Sequence, residues 1–213
     1  MIRIGVICEG KTECNFVSQS LEPYCRNESG VVLVPVELSA RNGRHRGGNV
    51  SVERLAEAVY CNRFSFDRVT TLVDYYGFRH VEGRSRTDLE ADILQAVCRK
   101  NPEMNPKFVH PYVQMYEFEA LLFSDVSVFE AVFWDRWSQE IKTALEAVKT
   151  AFPNPETINN GPETAPSKRL QRIIPRYDKL LDSSDIALLA GVDAMRQACP
   201  NFNEWVERLL YWD

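Results

Sequence analysis

Residues 5–13 read GVICEGKTE, and two incompatible structures fit those letters. Gly5 to Thr12 match the phosphate-loop pattern G-x-x-x-x-G-K-[ST]. The same residues also read as a β-strand that ends on a carboxylate, Glu9. A phosphate loop begins where its strand stops, because its backbone N–H groups must converge on phosphate oxygens. That would leave only Met1 to Ile4 as strand, whereas Val6, Ile7 and Cys8 favour extending it. Glu9 would also put negative charge into the phosphate cradle. Like charges a few ångströms apart cost about 1 kcal/mol even in bulk water, and more in a partly buried site. The strand reading is therefore preferred, with nucleotide binding through this loop as the lesser alternative. One feature favours the alternative: VTTLVD, residues 69–74, resembles an apolar strand ending in a magnesium-binding Asp.

Outward from this stretch the chain alternates strands and helices. Ile2 to Cys8 is the first strand. Thr12 to Glu22 fits a helix with Phe16, Val17 and Leu21 on one side and Pro23 just past its end. Val31 to Leu38 is a second strand, which Pro35 confines to an edge or a bulge. Ser51 can cap a helix running through SVERLAEAVYCNRF, with Glu53 and Arg54 exposed on its first turn. Arg68 to Val73 is a third strand stopping at Asp74. Ser85 to Arg99 is a helix with Leu89, Ile93, Leu94 and Val97 inward. Phe108 to Met115 is a fourth strand interrupted by Pro111, and Glu117 to Phe123 reads as the first turns of a helix. This alternation predicts an α/β fold with a mainly parallel sheet flanked by helices over residues 1–125. Residues 126–213 read as a C-terminal helical extension packed on it, the whole forming one compact unit. Helices are expected at Trp137 to Ala151 (Ile141, Leu145 and Val148 inward) and near 167–174, 184–198 and 202–211. Asn154 to Pro166 is a Pro-, Asn- and Gly-rich loop.

Composition narrows the function classes. The 213 residues are 45% hydrophobic, enough for a real core. No run of about 18 apolar residues is present, so no membrane association is expected. The N-terminus carries no basic region followed by an apolar stretch, which fits a cytoplasmic protein. Six scattered cysteines form no C-x-x-C pair, and the three histidines have no metal-ligand spacing, so reduced thiols are expected rather than a zinc ribbon. The net charge of −5 excludes a generally basic nucleic-acid coat but leaves room for local basic surfaces.

In a parallel sheet, ligands gather at the carboxyl ends of the strands. Glu9 ends the first strand, Asp74 ends the third, and Glu117 and Glu119 follow the fourth. Carboxylates brought together repel unless a cation or a proton intervenes, and Mg²⁺ or Mn²⁺ is the natural cation for such oxygen ligands. The alternative for each acid is a helix cap, a salt bridge or plain solvation. On a helix, residues two apart point about 200° from each other, so only one of Glu117 and Glu119 is expected to face the rim.

A strand ending in Cys8-Glu9-Gly10-Lys11-Thr12-Glu13, followed by one ending in Val73-Asp74-Tyr75-Tyr76-Gly77, resembles the toprim domain of topoisomerases, primases and overcoming-lysogenization-defect nucleases. A closer likeness is to the uncharacterised bacterial family called domain of unknown function 4276. It rests on CEGKTE, LVDYYGF, PYVQMYEFEALLFSD (Pro111 to Asp125), APSKRL (Ala165 to Leu170) and ACPNFNEW. These pieces spread over nearly the whole chain. The family brings a toprim-like (Rossmann-like) fold and no established activity. The toprim resemblance implies Glu9 as general base or metal ligand and Asp74 as metal ligand. The second acid of the D-x-D motif is replaced by Tyr76, and Glu117 or Glu119 would have to substitute as ligand.

Two basic stretches complete the picture. Arg41, Arg44, His45 and Arg46 share a glycine-rich loop after the second strand, suited to gripping phosphates or equally to a solvated loop. Lys168, Arg169, Arg172 and Arg176 form a second cluster. Lys168 could neutralise charge on a reacting phosphorus, and Arg169 could bind substrate; a solvated basic face is the alternative. Tyr75 and Tyr76 could stack on bases or pack under their loop. The leading expectation is a Mg²⁺- or Mn²⁺-dependent phosphodiesterase or nuclease acting on nucleic acid, with Glu9, Asp74 and Lys168 catalytic. Against it stands a degenerate toprim-like binding module working with an ATPase partner, an analogy from the overcoming-lysogenization-defect nucleases. Homo-oligomers are compatible with either.

Overall fold

The computed structural model describes residues 1–38, 50–78, 83–159, 161 and 163–212. The loop cations Arg41, Arg44 and Arg46, together with His45, Arg79 and His80, lie outside the described residues. The chain divides into two compact units, Met1–Gln114 with Leu209–Asp213, and Met115–Arg208.

The first unit is α/β. Strands β1 (Arg3–Cys8), β2 (Val32–Glu37) and β3 (Arg68–Asp74) are parallel, with β1 between the other two. The fourth strand comes as two short pieces, β4 (Val109–His110) and β5 (Val113–Gln114), both parallel to β3. Pro111 breaks it, and β3 repairs the break with side chains. Thr70 Oγ1 donates to the His110 carbonyl at 2.6 Å, and Thr71 Oγ1 donates to the Tyr112 carbonyl at 2.7 Å. Pro35 sits in β2, which is the sheet edge, where a missing N–H does least harm.

Helices α1 (Lys11–Phe16) and α2 (Glu22–Ser29) follow β1. They differ from the single helix expected to stop at Pro23. A π-turn, Val17–Leu21, joins them, and Pro23 lies in the first turn of α2 rather than beyond a helix end. Proline cannot donate and clashes with the carbonyl four residues back; the widened turn just before it lets the chain continue, with Glu22 N bonding to the Val17 carbonyl. Helices α3 (Val52–Asn62) and α4 (Arg86–Lys100) start at Ser51 and Ser85, whose hydroxyls accept from Arg54 N and Asp88 N. Leu55, Val59, Leu89, Ile93 and Val97 of these helices form one core with Ile7, Val69, Val73 and Val113 of the sheet.

The second unit is helical. Its hub is a 3₁₀ segment, Phe118–Ser124, every residue of which is buried. The expected α-helical turns are instead this tighter coil. Tyr116, two residues ahead, holds φ 61, a left-handed conformation that L side chains rarely adopt. The helices of the unit are α5 (Phe129–Val132), α6 (Gln139–Ala151), α7 (Pro166–Ile173), α8 (Leu181–Ala198) and α9 (Pro200–Leu210). Ile141, Leu145 and Val148 of α6 are buried, as their spacing predicts. Gly191 (φ 76) breaks α8. Glu156 is buried and accepts from Asn201 N at 2.9 Å and Phe202 N at 3.0 Å, so a carboxylate caps α9 from a distance in sequence. The tryptophans divide: Trp205 is buried in the helical unit, Trp134 is 79% exposed, and Trp212 belongs to the first unit, donating to the Lys107 carbonyl at 3.0 Å.

Candidate functional site

The strand ends of the first unit build an acidic corner. β1 runs to Cys8, so Gly5 is strand interior, and only Glu9 and Gly10 separate strand from helix. Two residues cannot wrap a phosphate. Gly5 has a packing reason instead: a Cβ there would lie 2.4 Å from the Phe66 ring. Glu9 N donates to the Leu72 carbonyl at 3.2 Å, so Glu9 still belongs to the ladder with β3. Its Oε2 accepts from Asp74 N at 3.3 Å. The Glu9 carboxylate is therefore brought to the backbone of Asp74, a residue that is itself 7% exposed.

The turn after Asp74, Tyr75–Gly77, closes over the Glu9 carboxylate. A Cβ on Gly77 would stand 2.5 Å from Glu9 Oε2 and 2.8 Å from Val50 Cγ2. Gly77 thus leaves the cradle in which that carboxylate rests. Val50 N donates to the Gly77 carbonyl at 3.1 Å and pins the turn from its other side. Sequence reasoning did not single out Gly77, although LVDYYGF contains it. The remaining letters of EGKTE have local duties: Glu13 Oε2 accepts from Gly10 N at 2.9 Å and holds the first turn of α1, while Lys11 is exposed. The two tyrosines separate. Tyr75 donates its hydroxyl to the Arg84 carbonyl at 2.7 Å, whereas Tyr76 is 39% exposed.

Glu117 and Glu119 lie in the second unit and find partners there. Glu117 caps α7, accepting from Ser167 N at 2.8 Å and Ser167 Oγ at 3.0 Å. Glu119 is fully buried, and its Oε1 lies 2.9 Å from Lys179 Nζ. Burial pushes its carboxyl above the ordinary value, Lys179 opposes that, and the neighbouring Glu117 charge adds to it. Glu117 precedes the 3₁₀ segment with extended backbone (φ −142, ψ 152), whereas Glu119 lies inside it, and the two have separate partners. Lys168 is exposed on α7, with Nζ 3.4 Å from Gln171 Oε1. Arg169 donates to the Thr164 carbonyl at 2.7 Å and lies over the Phe152 ring at 5.1 Å.

All six cysteines are free thiols. Among the described residues no group of three or more His, Cys, Asp or Glu side chains is arranged to hold a metal ion, and no helix is long and apolar enough to cross a membrane. The corner itself is a carboxylate, Glu9, hydrogen-bonded to the backbone N–H of Asp74.

No curated protein and no solved structure matches the chain. A family model does match, over residues 8–210, and that span includes the acidic corner, the buried 3₁₀ segment and α7. The chain belongs to the family described as Domain of unknown function (DUF4276).

Proposed function

We propose that this chain is a toprim-like, metal-dependent phosphodiester hydrolase acting on nucleic acid. The observation that carries the reading is the hydrogen bond from Asp74 N to Glu9 Oε2, beneath a turn whose glycine leaves space for the carboxylate. Glu9 and Asp74 would hold Mg²⁺ or Mn²⁺. The cation would supply charge stabilisation for both the attacking and the leaving oxygen. Glu9 orients its carboxylate through the Asp74 amide, and the rigid strand ends fix both acids. Tyr76 stands where a toprim pattern has its second Asp, so a bound cation would draw its remaining donors from water and substrate phosphate. Glu117 and Glu119, proposed as substitutes on sequence grounds, are the weaker candidates, because one caps α7 and the other pairs with Lys179.

The test is cleavage of DNA and RNA with Mg²⁺ or Mn²⁺, with and without chelator, by the native chain and by Glu9→Gln and Asp74→Asn. Metal-dependent cleavage that both substitutions abolish supports the proposal. Undiminished cleavage by Glu9→Gln removes that residue from the chemistry. A second reading is favoured by Tyr76 itself: a degenerate toprim-like module that binds an ATPase partner. It expects a stable purified complex with that ATPase and no turnover of any nucleic acid.

A further inference from the structure

Pro175 and Arg176 occupy a turn in which the sequence contradicts the backbone. Tyr177 N donates to the Ile174 carbonyl at 3.3 Å, and Arg176 holds φ 57. Proline fixes its own φ at about −65°. A positive φ following it defines a type II turn, whose third position calls for Gly or Asn. Arginine pays a steric cost there that those residues avoid. Strained residues of this kind persist only where the surrounding structure holds them, and they cluster at functional sites.

The surroundings say what kind of site. Arg176 is exposed just beyond α7, and the helix itself exposes Lys168 and Arg172. Lys168 and Arg172 are four residues apart, which puts them on one face about 6 Å apart along the axis. Among the described residues none of Lys168, Arg169, Arg172 and Arg176 forms an ion pair. Arg172 even acts on Arg169 as a like charge, lowering its affinity for its proton together with burial. A concentration of unneutralised cations stands out in a chain whose net charge is −5. Repulsion within such a cluster is relieved by a polyanion, and a row of cations at helical spacing suits successive phosphates.

We propose that α7 and the Pro175–Arg176 turn form a nucleic-acid backbone-binding face, on which Lys168, Arg172 and Arg176 contact phosphates. This rests on the nucleic-acid part of the function proposed above, and it is independent of the carboxylate corner.

The experiment is fluorescence anisotropy of a labelled DNA duplex and of the matching single strand, in EDTA, over a series of salt concentrations. Working without divalent metal separates binding from cleavage, so loss of catalysis and loss of this face are read independently. The variants are Arg176→Asn, Arg176→Lys, the triple Lys168→Gln/Arg172→Gln/Arg176→Asn, and Lys142→Gln as an exposed charge control on α6. Arg176→Asn is expected to melt no lower than the native chain, because Asn tolerates the left-handed conformation. It should nevertheless bind more weakly, with the salt slope on duplex reduced by about 0.9. The triple variant should lose about three times that slope, Arg176→Lys should retain it, and Lys142→Gln should change little. The proposal is overturned if Arg176→Asn leaves affinity and slope unchanged. It is equally overturned if Lys142→Gln lowers them as much, or if the native chain binds pyrophosphate but neither DNA probe.

Discussion

Replacing Gly77 by alanine puts a methyl group where the Glu9 carboxylate lies. The new Cβ would stand 2.5 Å from Oε2, and restoring an ordinary 3.4 Å contact asks for a displacement of about 0.9 Å. The hydrogen bond from Asp74 N is already 3.3 Å long, so a shift of that size removes it. Val50 Cγ2, 2.8 Å away, must move as well. Overpacking of this kind costs about 1–3 kcal/mol, read as a lower midpoint in urea at unchanged slope. The informative measurement is a double-mutant cycle with Glu9→Ala. Removing the carboxylate leaves only the Val50 clash, so the doubly substituted chain should be more stable than additivity predicts by at least about 1 kcal/mol. Additivity to within about 0.5 kcal/mol would show that Gly77 does not make room for Glu9, and the cradle argument would fall. Gly77→Ala should also weaken Mn²⁺ binding measured by calorimetry.

Three further outcomes follow from buried acids and caps. Glu156→Ala removes two charge-assisted bonds to the first turn of α9 and should cost about 2–4 kcal/mol, measured by urea denaturation; a loss below about 0.5 kcal/mol would show the cap to be idle. Glu119 has its carboxyl raised by burial above the ordinary 4.5. A raised folded-state carboxyl contributes stability that is full below the unfolded value and lost as pH rises through the folded value. The stability of the native chain relative to Glu119→Gln should therefore fall as pH rises above the ordinary carboxyl value of 4.5, and a rise in that direction would contradict the assignment. Ser51→Ala, which removes the hydroxyl bonded to Arg54 N at 3.3 Å, should cost about 1 kcal/mol in the same assay.

The acidic corner was half legible before the coordinates. Glu9 and Asp74 end apolar, β-branched runs, and parallel pairing sends such ends to one rim; that β1 and β3 are neighbours, which brings Glu9 to the Asp74 backbone, was decided by the strand order. Gly77 was not legible as part of the site, because its role depends on which atom from a distant strand approaches it. Glu117 and Glu119 could not be ranked as ligands from sequence for the same reason. Their position after the fourth strand matched a ligand's, but Ser167 and Lys179, some 50 and 60 residues further on, had already engaged them.

The sequence by itself determined the strand–helix alternation and parallel α/β character of the first unit, and that the proline-bearing second strand is an edge or carries a bulge, of which the structure takes the edge. Those follow from local rules: side-chain period, capping hydroxyls and the missing proline N–H. Tertiary structure alone decided what each charged group does. A carboxylate is a ligand, a helix cap or half of a buried pair according to which donors stand within about 3 Å of it, and distances between residues far apart in the chain are set only when the whole unit packs.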